Sequence, residues 1–339
     1  MTFTLLNDVF EDNPSNIKML DKIWLLTEER HTLFLDDDDI IEELLASEWF
    51  KSLRQLYQKE IGDLVTQSFQ MSKPKTILVI SNKESDAFSL VEAFEILNQT
   101  FFILLENGEN DAYFIKALIK NFQKKGKKIE KHLNEGWLEF GMGGGSTIPS
   151  VINAAKERFY RNKEKFPKES SYYLRFFVLI DSDKQYPNQH LKNEKQALIN
   201  SLKYDNVPFH ILQKREMENY MPDEVFREIQ GNDDYIRAYL TLNATQKDYF
   251  DVENGFPDKN FDNLPIEVQA LYEDLDKTPS NIHIFRKQKL EIKDKNGRNR
   301  FKSEFPKLFL TENVNQGTLL ARAGSNELQE ILDKITELL

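Results

Sequence analysis

Acidic residues directly follow two apolar stretches of the chain. Glu106 and Asp111 lie in LLENGENDAYF (104–114), and Asp181 and Asp183 come directly after RFFVLI. Carboxylates that are held close together repel one another, which favours a divalent cation between them. Mg²⁺ typically takes one or two carboxylates together with water and substrate phosphates. A polar turn and a helix N-cap would explain the same residues without a metal.

A third charged segment, HILQKREMENYMP, carries Lys214, Arg215, Glu216 and Glu218. A charged helix start is the ordinary interpretation of such a segment. The alternative is that Glu216 and Glu218 complete a metal site, while Lys214 or Arg215 offsets the negative charge that develops on a phosphate. The sequence leaves both interpretations open.

Glycines separate a short apolar segment from a helical pattern in WLEFGMGGGSTIPS. Glycines at 141–145 would let the backbone approach a ligand, and the N–H groups at the helix start would favour an anion. No GK[ST] follows, so this is not a P-loop. A tight turn between strand and helix is the simpler alternative.

A parallel sheet is needed to bring these residues together. From residue 74 onward, apolar strands alternate with helices, and the strands lack in–out patterning, which indicates a parallel sheet covered on both faces. Ligands bind beyond the carboxyl ends of such strands, and residues i and i+2 of a strand face the same side. The sequence therefore predicts a helical region at 1–73, an α/β domain at 74–230, and helices and loops packed on that domain at 231–339.

Composition limits the class of protein. The 339 residues carry a net charge of −11 and no cysteine, which excludes disulfides and thiolate metal sites and fits a cytoplasmic protein. No membrane segment and no secretory signal is predicted. The basic runs at 120–132 and 286–302 stand out in this acidic chain. NGRNR in the second run resembles a hairpin tip, so Arg298 and Arg300 are predicted to contact phosphates.

Taken in order, the motifs resemble a Toprim domain, the metal-binding fold of topoisomerases, bacterial primases and nucleases of the overcoming-lysogenization-defect family. The resemblance covers roughly residues 98–222. Glu106 with Asp111, the glycine turn, and Asp181 with Asp183 match its motifs in order, and KREMENY is similar to an extra acidic element of the nuclease branch. That branch includes Toprim subunits of anti-phage systems that work with a separate ATPase.

The resemblance implies a Rossmann-like fold and a Mg²⁺- or Mn²⁺-dependent nuclease acting on DNA or RNA. Glu106 would be the general base or a ligand, and Asp181 and Lys214 would also take part in catalysis. The implied metal ligands are Glu106, Asp111, Asp181, Asp183, Glu216 and Glu218. Arg215 would contact the nucleic acid, an ABC- or SMC-like ATPase would be the partner in antiviral defence, and a homodimer is compatible with the family.

One departure from the family pattern concerns the first acid. The usual motif is Glu-Gly-x-x-Asp, and an ungapped match puts Asn107, not Glu106, in the acid position. We favour Glu106, because a longer turn can re-aim a side chain whereas a neutral amide cannot act as a general base. A non-catalytic Toprim binding module and a DxD-type nucleotide-sugar transferase remain the alternatives.

Overall fold

The computed structural model describes residues 1–27, 30–143, 147–256, 261–276 and 279–339. Within these ranges the chain forms two parallel sheets accompanied by helices. The α/β class predicted from the alternation of apolar strands and helices is confirmed. In the same ranges, no helix combines the length and the apolar character needed to cross a bilayer.

The first sheet belongs to the N-terminal part of the chain, which is therefore not only helical as predicted. Its strands pair in the parallel order β2-β1-β3 and are β1 (Thr2–Leu5), β2 (Thr32–Leu33) and β3 (Leu78–Ile80). The accompanying helices are α1 (Pro14–Thr27), α2 (Asp38–Ala46), α3 (Glu48–Ser52), α4 (Gln55–Gln70) and α5 (Leu90–Asn98). Phe3 of β1 pairs with Leu78 of β3, so the boundary predicted at residue 73 separates strands that pair with each other.

The second sheet carries the acidic motifs. Its parallel strands pair in the order β5-β4-β6-β7 and are β4 (Phe101–Leu105), β5 (Leu138–Met142), β6 (Phe176–Ile180) and β7 (Phe209–Ile211). The helices between them are α6 (Gly108–Asn121), α7 (Gln123–Asn134), α8 (Ile148–Tyr160) and α9 (Asn193–Tyr204). β4 and β6 are neighbours, with Ile103 opposite Phe177. The residues that follow these two strands therefore emerge side by side.

Helices cover both faces of this second sheet. Ile103 and Phe177 face a core that includes residues of α6 and α7, whereas Leu104 and Val178 face a core that includes residues of α8 and α9. Burial on both faces explains why β4 and β6 are continuous apolar runs without alternation. It also leaves the strand ends as the part of the sheet that a ligand can reach.

The C-terminal part packs on the α6/α7 side of the second sheet. Its helices are α10 (Asp223–Phe226), α11 (Asp233–Leu240), α12 (Ala244–Tyr249), α13 (Ile266–Leu271), α14 (Glu273–Asp276), α15 (Pro279–Lys287), α16 (Phe301–Glu304), α17 (Gln316–Ala323) and α18 (Glu327–Leu338). The α18 helix is amphipathic, and its buried face includes Leu328, Ile331, Leu332 and Ile335.

Glu327 ties α18 to the charged segment 214–218. Its buried carboxylate accepts hydrogen bonds from the backbone N–H of Gln213 at 2.7 Å and from the hydroxyl of Tyr220, and it lies 2.9 Å from His210 Nε2. The Tyr220 hydroxyl in turn accepts from the backbone N–H of Lys214 at 3.2 Å. The start of α18 therefore holds the backbone that presents Glu216 and Glu218.

Candidate metal and phosphate site

A cleft of about 340 Å³ lies where β4 and β6 end, and we call it the acidic cleft. It is lined by Glu106, Asn107, Asn110, Asp111, Asp181, Glu216, Glu218, Asp251, Glu253, Asn254, Phe301 and Lys302. Five of the six predicted metal ligands are in this lining; the sixth, Asp183, lies beside it. The structure thus brings together residues from three separate segments of the sequence.

Asp181 is the carboxylate in this cleft with the least compensation. Its Oδ1 is buried and has no hydrogen-bond partner in the described part of the chain. Burial, and then repulsion from Glu106 and Glu218, raises the pKa of Asp181 well above its usual range. A proton or a bound cation would relieve this unfavourable charge.

Asp111 has a structural role as well as a place in the cleft. Its Oδ2 accepts the backbone N–H of Asn107 at 2.7 Å, so it caps the first turn of α6. Burial nevertheless raises the pKa of the Asp111 carboxyl to about 6, and nearby Glu106 contributes to the rise. Asp111 thus stabilises the start of α6 from within the helix, while the N-cap residue Asn107 makes no capping hydrogen bond with its side chain. This contact does not account for the other acids.

Glu216 and Glu218 enter the cleft from a short 3₁₀ turn at Met217–Tyr220 and its N-cap. Burial, followed by repulsion from Glu216, raises the pKa of Glu218 to about 8. Burial also raises the pKa of Glu216, although Arg215 opposes the shift through a contact of 3.2 Å between its Nε and Glu216 Oε1. The same guanidinium reaches Asp251 Oδ2 at 3.1 Å. Arg215 thus neutralises two acids of the cleft and is not placed as a free phosphate contact.

Lys195, which the motifs did not single out, forms the principal cationic contact of Glu106. Its Nζ lies 2.8 Å from Glu106 Oε1 and 2.9 Å from Asp183 Oδ2, and it donates to the backbone carbonyl of Asp181. Burial disfavours the ammonium, but attraction to the two carboxylates outweighs burial and raises the pKa of Lys195. One feature of the sequence does point to Lys195. It lies in the first turn of α9, where the helix dipole favours acidic residues and disfavours a lysine.

Asp183 departs from the predicted arrangement of the DxD motif. The strand ends at Ile180, and Asp183 has a left-handed backbone with φ 51°. Its N–H donates to the carbonyl of Arg215 at 2.9 Å. The rule that residues i and i+2 face the same side holds only in extended backbone, so Asp181 lines the cleft while Asp183 contacts Lys195 beside it.

Lys214 does not lie in the acidic cleft, where the sequence places it. Its buried ammonium pairs with Asp248 and lines a separate cleft together with Lys247 and Arg322. The physical reason is the path of the backbone. The Ser182 hydroxyl donates to the Lys214 carbonyl at 2.7 Å and the Arg215 N–H donates to the Asp248 carbonyl at 2.9 Å, and this directs consecutive side chains to different clefts.

The second basic run reaches the rim of the acidic cleft. Residues 293–299 form a tight turn, with Lys293 and Asn299 bridged and Gly297 at φ 73°. Arg298 and Arg300 are exposed on this turn, and Arg300 Nε lies 3.9 Å from Asp294 Oδ2. Lys302, the last residue of this run, is exposed and lines the cleft itself.

The glycine turn is only partly described, since residues 144–146 lie outside the described residues. A Cβ at Gly141 would lie 2.5 Å from Leu104 Cδ2, and one at Gly143 would lie 2.7 Å from Ile148 Cγ1. Contacts this short require something to shift. These two glycines are therefore explained by close packing of β5 against β4 and of the turn against α8.

The donor atoms of the acidic cleft are of the type that binds a hard divalent cation. They are carboxylate and amide oxygens, which Mg²⁺ and Mn²⁺ prefer, and the orphaned Asp181 Oδ1 needs a positive charge. Among the described residues, however, no three Asp, Glu or His side chains are already arranged to hold a metal ion. Cation binding would therefore require the side chains of the cleft to move closer together.

Comparison of the chain with protein-family models, with curated proteins and with solved structures finds no match. A functional assignment therefore rests on the geometry and charge of the acidic cleft.

Proposed function

We propose that the protein is a Mg²⁺- or Mn²⁺-dependent nuclease of the Toprim type that hydrolyses phosphodiester bonds of DNA or RNA. The observation that carries the proposal is the buried, unpartnered Oδ1 of Asp181 in a cleft shared with Glu106, Asp111, Glu216 and Glu218. These five carboxylates, of which only Glu106 and Glu216 contact a cation among the described residues, repel one another. Clustered acids with perturbed pKa values are typical of functional sites. An antiviral role with a separate ATPase is part of the proposal through the Toprim resemblance alone.

We assign different roles to the acids according to their positions in the cleft. Asp181, Asp111 and Glu218 would hold the cation, with Glu216 as a further ligand. A divalent cation held by these residues would supply Lewis acidity towards a phosphate oxygen and towards water. Glu106 remains as general base, because Lys195 contacts only its Oε1, and no hydrogen bond occupies its Oε2 among the described residues.

Cations at the rim provide the affinity for a polyanion. Lys302 borders the cleft, and Arg298 and Arg300 extend from the neighbouring turn. These three exposed side chains attract phosphates without depending on the sequence of the nucleic acid. Lys214 has no place in this scheme, since its ammonium is engaged with Asp248.

A non-catalytic module that binds nucleic acid or a partner is the second candidate. It is favoured by the contact of Lys195 with Glu106 and by Asn107 in the ungapped acid position. Such a module would use the rim cations without needing a metal in the cleft.

Cleavage of a mixed panel of single- and double-stranded DNA and RNA tests the proposal. We expect product with Mn²⁺ or Mg²⁺, none in EDTA, and none with Asp181→Asn. The matched control is Asp234→Asn, because Asp234 is an exposed acid far along the chain that pairs with Arg237 on α11; it should cleave like the wild type.

Two outcomes would contradict the nuclease proposal. Undiminished cleavage by Asp181→Asn would place any activity elsewhere in the molecule. Binding of the panel with no cleavage under any metal condition would favour the non-catalytic module.

A further inference from the structure

The ammonium of Lys195 is fully engaged at one end of the acidic cleft. An ammonium has three donors, and Lys195 Nζ uses them on Glu106 Oε1, Asp183 Oδ2 and the Asp181 carbonyl. No donor is left for a substrate phosphate. Lys195 is therefore placed as a fixed countercharge for the cleft and not as a substrate contact.

Burial makes this countercharge difficult to displace. The Lys195 side chain is 11% exposed, and its partners Glu106 and Asp183 are 21% and 28% exposed. Removing one member of a buried ion pair leaves an uncompensated charge, which is strongly destabilising in proteins. A metal ion bound between Glu106 and Asp183 would have to expel the ammonium and leave it without these partners.

The remaining acids divide according to whether a cation already compensates them. Lys195 forms ion pairs with Glu106 and Asp183, and Arg215 forms ion pairs with Glu216 and Asp251. Asp181, Asp111 and Glu218 have no ion pair in the described part of the chain. Glu253 also lines the cleft without an ion pair in the described ranges, so the limit on metal binding comes from position and not from the number of charges. A second cation between Glu106 and Asp183 would need the oxygens that already contact Lys195.

We infer that Lys195 permanently occupies the second cation position of this site, so that each chain binds one divalent ion instead of a metal pair. The inference rests on the proposed metal-dependent function and specifies its stoichiometry. Lys195 then positions Glu106 and Asp183 electrostatically, as a second metal would, while the single ion binds on the side of Asp181, Asp111 and Glu218.

Mn²⁺ binding to the full chain tests this inference without reference to activity. Titration followed by electron paramagnetic resonance counts the bound ions and detects spin coupling between ions that share ligands. We expect one tightly bound Mn²⁺ in the wild type, with no coupling, and none at this site in Asp181→Asn. Lys195→Ala vacates the second position and should bind two Mn²⁺ with spin coupling.

Two further variants separate charge from folding. Lys195→Arg keeps the positive charge and should bind one Mn²⁺, and Lys203→Ala removes an exposed lysine from the same helix and should match the wild type. If Lys195→Ala does not fold, Lys195→Gln, which removes the charge but keeps a polar side chain of similar length, replaces it and should likewise bind two coupled Mn²⁺ ions.

The failure of this inference is distinguishable from failure of the nuclease proposal. Two coupled Mn²⁺ ions in the wild type, or one in both the wild type and Lys195→Ala, would overturn the role of Lys195 even if the protein cleaves nucleic acid. No specific Mn²⁺ in the wild type, together with no cleavage, would overturn both.

Discussion

The short segment 214–218 contributes side chains to two different groups of charged residues, and these two groups differ in how their charges are paired. Glu216 and Glu218 face the acidic cleft, where carboxylates outnumber cations. Lys214 faces a second group, the paired cluster, made of Lys214, Lys247, Arg322, Asp223 and Asp248. There each of the three cations has a carboxylate partner.

The difference is between a cluster whose cations are all paired with carboxylates and a cleft in which several carboxylates lack a cation in the described part of the chain. In the paired cluster, Arg322 contacts Asp248 at 2.6 Å and Lys247 contacts Asp223 at 2.6 Å, so each buried cation has an opposite charge beside it. Asp223 Oδ1 and two nitrogens of Arg322 nevertheless have no hydrogen-bond partner among the described residues, so the contrast with the acidic cleft lies in the pairing of charges. In the acidic cleft, Asp181 and Glu218 are partly buried without an ion-pair partner within the described ranges. Desolvation and the neighbouring carboxylates raise the pKa of both. The paired cluster is expected to stabilise the fold, whereas the acidic cleft is expected to need a ligand.

The largest expected effect is on catalysis in the acidic cleft. Glu106→Gln removes the proposed general base while keeping its shape, and should lower turnover by roughly 10²–10⁴-fold. Asn107→Ala, at the neighbouring position that also lines the cleft, should change turnover little. Steady-state cleavage by both variants is the measurement.

The reverse result would change the assignment of the acid. If Asn107→Ala lost activity and Glu106→Gln did not, the ungapped alignment would be correct and Asn107 would occupy the acid position. Asn107→Glu would then be expected to raise cleavage above that of the wild type.

The paired cluster should respond in stability instead of activity. Asp248→Asn leaves the buried cations Lys214 and Arg322 without their shared partner, and should lower the free energy of unfolding by about 3 kcal/mol. Asp234→Asn breaks an exposed pair with Arg237 and should cost less than about 1 kcal/mol. Urea denaturation of the metal-free proteins measures both.

Asp181→Asn provides the contrast with the acidic cleft. Because it removes a repelling carboxylate, the metal-free variant should be at least as stable as the wild type, while losing the rise in Tm that Mn²⁺ produces. Should Asp181→Asn destabilise the metal-free protein as much as Asp248→Asn does, the distinction between the two clusters would fail.

The parts of this site that the sequence predicts are those that depend on strand ends. β4 and β6 are apolar enough to be recognised, and parallel strands end at one edge, so the proximity of Glu106 to Asp181 follows from topology. The N-terminal sheet is not predicted, because alternation over the four residues of β1 (Thr2–Leu5) is too short to distinguish a strand from a helix turn.

The parts that the sequence does not predict depend on backbone direction beyond the strands. Nothing in DSD indicates that Asp183 adopts φ 51° and leaves the strand geometry. Nothing in KRE indicates that Lys214 and Glu216 enter different clefts, since that is decided by hydrogen bonds from Ser182 and to Asp248. Lys195 comes from a helix whose position depends on packing against the other face of the sheet.

The smallest expected effect is on the affinity contributed by the rim of the acidic cleft. Arg298 and Arg300 are exposed on the turn that precedes Lys302, so the double variant Arg298→Ala with Arg300→Ala should bind fewer phosphates without disturbing the carboxylates. Removing one phosphate-binding cation lowers the salt slope of binding by about one unit. We therefore expect KM to rise, its salt dependence to fall by up to about two units, and kcat to stay near the wild-type value.

The matched control is Lys124→Ala with Lys127→Ala, which removes two exposed lysines of the other basic run on α7. A salt slope that changes only in this control would move the nucleic-acid path from the rim of the cleft to α7, and would separate the substrate-binding surface from the acids that we propose cleave it.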